Sequence, residues 1–412
     1  MYKDIEENAC YAVLIGAGMG SQNMLTVEAK EQIEQADACI GAARLLEVCP
    51  QEKPKFAEYR ADEIVQIIKM HPEYHNWVIV LSGDVGYYSG AKKLITSLEN
   101  EEIEVECVPG IASVVYLAAK LGVSWEDAAL RSIHGRNQNI VYAIDHHAKT
   151  FLLLDRKSGA EFCRLIKDYG FEDLPCYVGA RLSYKEEKIR KIMSGELTPE
   201  DLGELSTVLI ENPHPVRQAS VHLPDDAFIR SQEGRLVPMT KAEVRAVSMA
   251  KLGLTEQAVF YDIGAGTGSV SVEAALHGEK IQVYAIEQRE DACRLICENR
   301  RKFRTAQIQV VHGSAPEAME ELPAPTHAFI GGSTGHLHEI LRMLKEKNPK
   351  VTIVINAISL ETVEEVMAAV REGLLKEPEI IQVNVSSARV LGRYHMMTGQ
   401  NPVYIITEKT DE

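Results

Sequence analysis

Short apolar runs recur along this chain, and most are followed by a stretch with helical spacing. In the first half the runs are Tyr11–Ile15, Ala38–Gly41, Val78–Leu81 and Val105–Val108. Leu25–Glu34 has the 3.6-residue periodicity of a helix, and another helix runs from the Pro109-Gly110 turn through Leu121. A second group of runs, Thr150–Leu154, Pro175–Gly179 and Thr207–Glu211, forms a further set of strands. Asn212-Pro213-His214-Pro215 then interrupts the pattern, since two prolines in three residues forbid a continuing helix and mark a linker. Beyond it come a helix to Leu252, which Thr240 can cap, and the strands Val259–Ile263 and Val283–Glu287. Strand and helix alternating in this way predict parallel α/β sheets.

The junction after Val259–Ile263 carries the most chemistry. Asp262-Ile263-Gly264-Ala265-Gly266-Thr267-Gly268 is a strand end followed by a Gly-x-Gly-x-Gly turn, and Ser269–Leu276 reads as a helix. About twenty residues later a second strand ends in Glu287. Such a unit binds a nucleoside at the carboxyl ends of its strands, with Glu287 placed to accept from two ribose hydroxyls. The dinucleotide fingerprint wants Gly or Ala where Ser269 stands. Asp262 suits a ligand that carries a cation rather than a pyrophosphate. The other glycine turn, Gly16-Ala17-Gly18-Met19-Gly20, differs because its helix starts several residues later and cannot aim its N-terminus at a phosphate beside the turn.

Composition narrows the classes. At 412 residues two domains are expected, and 45% hydrophobic with 25% charged residues is the balance of a globular protein. A formal charge of −16 disfavours a nucleic-acid partner, because phosphate contacts need a basic stripe. No apolar run approaches the roughly 20 residues of a membrane span, and no signal peptide is visible, so no membrane partner and a cytoplasmic location are expected. The eight cysteines are scattered without a Cys-x-x-Cys, and Cys293 and Cys297 lack a partner at zinc-site spacing, so no metal site is expected.

Asp262, the glycine turn and Ser269 together resemble motif I of Rossmann-type S-adenosylmethionine (SAM) methyltransferases. Pro238-Met239-Thr240-Lys241 with Glu243, Val244 and Arg245, ahead of that turn, resembles the decarboxylating precorrin methyltransferases that act at C15. Phe329–Gly335 and Val354–Thr362 resemble that family's fourth and fifth strands with their loops. In the first half, the Gly16–Gly20 turn, Leu25-Thr26, Gly83-Asp84-Val85-Gly86-Tyr87-Tyr88-Ser89 and Pro109-Gly110-Ile111-Ala112-Ser113 resemble the tetrapyrrole methylases. Ser132–Arg136 and Gly179–Tyr184 resemble signatures of the C5-methylating branch. Met19 and Val85 stand where that family usually has a loop-stiffening proline.

The resemblances imply an α/β chain in two parts. Residues 1–212 would form a two-lobed tetrapyrrole methylase fold, with lobes about 1–112 and 113–212. Residues 213–412 would form a Rossmann-like, seven-stranded SAM methyltransferase fold. They imply methylation of a precorrin-6B-type corrin precursor at C5 by the first part. The second part would methylate C15 and decarboxylate the C12 acetate, giving precorrin-8. Two SAM sites per chain follow. In the first, Gly83, Asp84, Gly86, Tyr88, Ile111, Ser113, Leu154 and Ala180 would hold the cofactor. In the second, Gly264, Ala265, Gly266, Thr267 and Gly268 would wrap its methionine part beside Asp262, with Glu287 on the ribose, Ser314 and Ala315 at the adenine and Thr240 closing over it. His134, Arg136, Arg389, Arg393 and His395 are candidates to receive substrate carboxylates. Methyl transfer needs alignment and dryness rather than a side-chain nucleophile, so no catalytic residue stands out. Both families tend to form homo-oligomers. The alternative is a SAM-dependent RNA or protein methyltransferase. Against it stand the acidic balance and the lack of an Asn/Asp-Pro-Pro-aromatic motif where Gly331–Ser333 sits.

Overall fold

The computed structural model describes residues 10–133, 138–202, 206–217, 222–231 and 236–409. Two compact units emerge. One comprises Met1–Gln138 with His147–Pro215, the other Asn139–His146 with Val216–Glu412.

In the first unit, β1 (Tyr11–Gly16), β2 (Ala38–Gly41), β3 (Lys55–Ala57), β4 (Asn76–Leu81) and β5 (Glu104–Val108) form a parallel sheet in the order β3-β2-β4-β1-β5. Its central strands are buried on both faces, which explains their unbroken apolar runs. Ala12 and Leu14 of β1 join the core under α2 (Ala61–Met70) and α3 (Ala91–Glu99), while Val13 and Ile15 join that under α1 (Val27–Gln35). Thr26 caps α1 by accepting from the Ala29 N–H at 3.1 Å. Helix α4 (Ser113–Leu121) runs from the Pro109-Gly110 turn to Leu121.

A second sheet of the same unit joins β6 (Ala129–Ser132), β7 (Lys149–Leu154), β8 (Pro175–Ala180), β9 (Lys188–Met193) and β10 (Ser206–Glu211) in the order β6-β7-β10-β8-β9. Only β6 and β7 are parallel; the other pairs are antiparallel. Val114 and Leu117 of α4 pack with Phe151 and Leu209 of this sheet and with Leu182 in the loop after β8. Met19, in place of the proline, is buried in the same cluster. Val85, the other departure, packs partly against the first sheet's core.

The second unit contains α5 (Ile140–His146), whose Asp145 Oδ1 receives the Arg304 guanidinium at 2.6 Å. In the first unit α6 (Arg156–Asp168) starts from an Asp155–Ser158 capping box, and in the second α7 (Ala242–Leu252) precedes the glycine turn in the chain. Seven strands form one sheet: β11 (Val259–Ile263), β12 (Gln282–Glu287), β13 (Ile308–His312), β14 (His327–Ile330), β15 (Thr352–Ala357), β16 (Glu379–Val383) and β19 (Val403–Glu408). Their order is β13-β12-β11-β14-β15-β19-β16, with β19 antiparallel to both neighbours. This is the seven-stranded arrangement expected from the sequence. Helices α7, α8 (Ser269–Leu276) and α9 (Glu290–Lys302) cover one face, and α10 (Leu337–Lys347) and α11 (Leu360–Arg371) the other. The sheet order reverses at β11 and β14, so the carboxyl ends of these strands open a crevice there.

Between β16 and β19 the chain forms an exposed hairpin, β17 (Ser386–Leu391) with β18 (Tyr394–Gly399). Among the described residues no helix is long and apolar enough to cross a membrane, and no cluster of His, Cys, Asp and Glu could hold a metal ion. All eight cysteines are free thiols.

Candidate functional sites

In the second unit the glycine turn and the strand ends enclose a cavity of about 200 Å³. Gly264, Gly266, Glu287, Ser314 and Ala315 line it, together with Val237-Pro238, Gln288-Arg289 and Gly331–Thr334. Gly266 has φ 56°, and a Cβ there would lie 2.5 Å from the Pro238 carbonyl oxygen. A Cβ on Gly264 would lie 2.8 Å from Gly332 O. The turn is therefore a cradle that only glycine leaves open, closed above by the Val237-Pro238 segment and at the side by the β14 loop. Glu287, nearly buried, accepts the Gly266 N–H on Oε2 and the Arg289 N–H on Oε1, both at 2.9 Å. Each carboxylate oxygen retains a lone pair for a ligand hydroxyl.

Asp262 lies beneath the turn and does not line the cavity. It is 1% exposed. Its Oδ2 accepts the Ser271 N–H at 2.9 Å and the Ser271 hydroxyl at 2.5 Å, which ties the turn to α8. Burial pushes this carboxyl up to about 7, the Ser271 hydrogen bonds oppose the rise, and the Glu287 charge adds to it. Asp262 Oδ1 and Thr267 Oγ1 are buried without a hydrogen-bond partner among the described residues. Ala265, Thr267 and Gly268 form the turn's inner wall rather than the cavity surface.

Thr240 does not cap α7. The N-cap is Lys241, without a side-chain cap, and the Ala242 N–H is instead satisfied by Asp225 Oδ1 at 2.9 Å. A carboxylate delivered from a distant loop already occupies the helix N-terminus, where it is favoured by the helix dipole. Thr240 contributes its carbonyl, which accepts from Arg245 Nη1 at 2.7 Å. Arg245 is fully buried. Its Nε donates to Glu273 Oε1 at 2.7 Å, its Nη2 to the Leu223 carbonyl, and its guanidinium lies 4.9 Å from the Phe228 ring centre. The Pro238–Arg245 string thus anchors the cavity's cover to α8 through one buried ion pair. Arg389, Arg393 and His395 lie on the exposed β17–β18 hairpin and do not line the cavity.

In the first unit three loops meet at the carboxyl ends of β1, β4 and β5. Gly18 N–H donates to the Gly83 carbonyl at 3.1 Å, and Gly83 N–H returns a bond to Gly18 O at 2.5 Å. Asp84 Oδ1 accepts from Gly86 N–H at 2.8 Å, and its Oδ2 accepts from Gly110 N–H at 3.1 Å. Asp84 therefore ties the Gly83–Ser89 loop to the Pro109-Gly110 turn. A Cβ on Gly110 would lie 2.3 Å from Gly16 O, so only glycine permits this approach.

Beside these loops lies a cavity of about 230 Å³. Tyr88, Ser113 and Leu154 line it, as do Tyr87, Ser89 and Thr207. Gly83, Asp84, Gly86, Ile111 and Ala180 are not on its wall. Thr207 Oγ1 donates to Ser113 Oγ at 2.8 Å, joining the two sheets' contributions. The Tyr88 hydroxyl reaches the Leu130 carbonyl at 3.2 Å. An open groove of about 910 Å³ shares the Tyr87–Ser89 wall, includes Gly86 and extends along α3. His134 and Arg136 lie outside the described residues. Sequence reasoning missed Arg44, Ser82 and Thr207 on the first cavity, and Gln288 and Arg289 on the second, because none belongs to a short motif.

Known proteins match both parts. Residues 12–198 fit the tetrapyrrole (corrin/porphyrin) methylases, and residues 231–409 fit the precorrin methyltransferase domain. A probable cobalt-precorrin-6B C(15)-methyltransferase (decarboxylating) of Pyrobaculum calidifontis is 44% identical over 191 residues, 46% of this chain and 96% of that protein. The cobalt-precorrin-6B C(15)-methyltransferase (decarboxylating) of Salmonella typhimurium is 36% identical over 189 residues, again 46% and 96%. A crystal structure of a precorrin-6Y C5,15-methyltransferase from Geobacter metallireducens is 35% identical, with a TM-score of 0.43, covering 46% of this chain and 100% of that one. With relatives of this identity matched over nearly their whole length, the chain belongs to the precorrin methyltransferase family and is a SAM-dependent C-methyltransferase.

Proposed function

We propose that the chain is bifunctional, with one SAM site in each unit. The Rossmann-like unit methylates a precorrin-6B-type precursor at C15 and removes the C12 acetate carboxyl as CO₂. The first unit methylates C5, and the product is a precorrin-8. The observation that carries the reading is the glycine cradle of Gly264 and Gly266 over Glu287, closed by Val237-Pro238. Its chemistry fits a nucleoside with a ribose diol and an amino-acid tail. The names of the relatives supply the C15 position and the decarboxylation. The tetrapyrrole methylase match and the C5-branch motifs support the second methylation.

Bound SAM supplies an electrophilic methyl group on a sulfonium. The protein's part is to hold, orient and dry the reacting centres. Glu287 would receive the ribose, the glycine turn's backbone would cradle the methionine portion, and Ser314 and Ala315 would flank the adenine. Thr240 would act through its carbonyl, by fixing Arg245 and with it the Val237-Pro238 cover. In the first unit Tyr88, Ser113 and Leu154 would contact the cofactor from the cavity wall. Asp84 would hold the surrounding loops in register. A meso carbon of a partly reduced tetrapyrrole has enamine character and attacks directly. Methylation at C15 leaves a neighbouring iminium that accepts the electrons released on loss of CO₂, so no metal is required. The same reading makes a tetrapyrrole, rather than a nucleic acid or a membrane, the partner. It places the enzyme in the cytoplasm as a homo-oligomer.

The test is incubation of the full chain with a precorrin-6-type substrate and SAM, followed by mass spectrometry. Two added methyl groups and one lost CO₂ support the reading. An unchanged substrate mass, with an active control enzyme alongside, refutes it.

A further inference from the structure

The chain carries 60 acidic against 44 basic residues. The wall of the 230 Å³ cavity in the first unit runs against that balance. Among the described residues it contains Arg44 and Arg181 and no aspartate or glutamate, together with serine, threonine and tyrosine hydroxyls. Such a lining offers an anionic group of a ligand two cationic partners.

Arg44 follows β2 and is half-buried. Its Nη2 donates to Ser82 Oγ at 3.1 Å, and its Nη1 lies 3.4 Å from the Met19 carbonyl and 3.5 Å from the Tyr184 hydroxyl. Every one of these partners is neutral. Among the described residues no carboxylate forms an ion pair with Arg44 or with Arg181. A guanidinium is a permanent cation with five N–H donors in a fixed fork. Partly withdrawn from water, it loses hydration that neutral acceptors only partly replace. A ligand carboxylate would complete the set through charge-assisted bonds.

The surrounding structure fixes this fork. The Tyr184 hydroxyl is seated where a side chain on Gly20 would be: a Cβ there would lie 2.4 Å from it. Arg181 begins the same loop in a left-handed conformation, φ 49°, which is unusual for arginine and is held by the Arg181–Tyr184 turn. The two cations therefore come from two sheets, Arg44 from the loop after β2 and Arg181 from the loop after β8.

We infer that Arg44, with Arg181, is the carboxylate-recognition point of the cavity in the first unit. The inference rests on reading that cavity as a methyl-transfer site. The carboxylate can come from two sources: the amino-acid end of the cofactor, or an acetate or propionate arm of the tetrapyrrole. In either case the arginine is a specificity residue. It holds the ligand's anionic end and leaves the reacting carbon to the rest of the wall.

The test uses the full chain as wild type, Arg44→Gln, Arg44→Lys and Arg181→Gln, with thermal melting as the fold control. Calorimetry follows S-adenosylhomocysteine and 5′-methylthioadenosine, which lacks the amino-acid carboxylate. Fluorescence quenching follows uroporphyrin, a polycarboxylate tetrapyrrole. Loss of the carboxylate's charged partner should weaken one class of sites about 10- to 100-fold in Arg44→Gln. Arg44→Lys, which keeps the charge without the fork, should fall between. Weaker S-adenosylhomocysteine with unaltered methylthioadenosine assigns the cofactor's carboxylate, and weaker uroporphyrin assigns the tetrapyrrole's. In turnover the loss should appear in the KM of the assigned ligand, with kcat at C5 within about twofold. If Arg44→Gln and Arg44→Lys bind all three ligands within about twofold of wild type, the inference is overturned. Arg44-dependent binding in a wild-type enzyme that forms no C5-methyl product would refute the C5 reading and leave the carboxylate site standing. C5 product with neither KM moved by Arg44→Gln would do the reverse.

Discussion

Replacing Asp262 by asparagine should stabilise the protein at alkaline pH. The carboxyl is 1% exposed and is pushed up to about 7 from an ordinary value of 3.8, mainly by burial. Because the folded-state value is raised, the native state holds more protons than the unfolded chain between those two values. Stability therefore falls as pH rises through that window. The cost is absent below about pH 4 and complete above about pH 8. At about 1.36 kcal/mol per pH unit the full cost is about 4 kcal/mol. Asparagine keeps an acceptor for the Ser271 N–H and hydroxyl without the charge. The stability difference between Asp262→Asn and wild type should therefore be about 2–3 kcal/mol larger at pH 8 than at pH 5. Chemical denaturation of both proteins at the two pH values, following the transition of the unit that contains the glycine turn, measures it. A difference independent of pH would show that Asp262 stays ionised in the folded protein throughout, and the reasoning from burial would fail.

Other perturbations follow from the same contacts. Arg245→Met leaves Glu273 buried without its cation and should cost about 3–5 kcal/mol in denaturant unfolding. Gly266→Ala places a Cβ 2.5 Å from the Pro238 carbonyl at a positive φ, and should weaken S-adenosylhomocysteine at that site by at least about 100-fold in calorimetry. Asp84→Asn can satisfy only one of the two N–H groups that Asp84 now joins, and should raise the KM for SAM at the first unit's site by about 5- to 20-fold.

The architecture was legible where one kind of residue has one physical use. Gly264 and Gly266 stand out in the sequence as a glycine turn, and a side chain at either position would collide with backbone. Glu287 is visible in the sequence because it ends a buried strand beside that turn. The seven-stranded sheet was expected from the resemblance to methyltransferases; its central strands are apolar runs buried on both faces, whereas the edge strand β16 is largely exposed and carries no such signal. Asp262 was visible as a motif residue, but its place beneath the turn depends on Ser271, one turn into α8, and no local pattern reports that contact. Thr240 looked like a cap because threonine before an apolar helix usually is one. Asp225, fifteen residues upstream, takes that position instead, and this is a tertiary fact. Arg44 was invisible for a related reason. An arginine after a strand is ordinary, and only the folded wall shows that its partners are all neutral. Arg389, Arg393 and His395 share a short segment that sequence spacing cannot distinguish from a binding loop, and the fold carries them out on a hairpin.

The division of labour between the units is tested most directly by carbon-13 NMR of the product made from methyl-labelled SAM. Wild type should yield two labelled methyl groups, at C5 and C15, with the C12 acetate converted to methyl. Gly266→Ala should yield label at C5 alone with that acetate intact. Label at C15 and loss of the carboxyl in Gly266→Ala, or a single labelled position in wild type, would contradict the account.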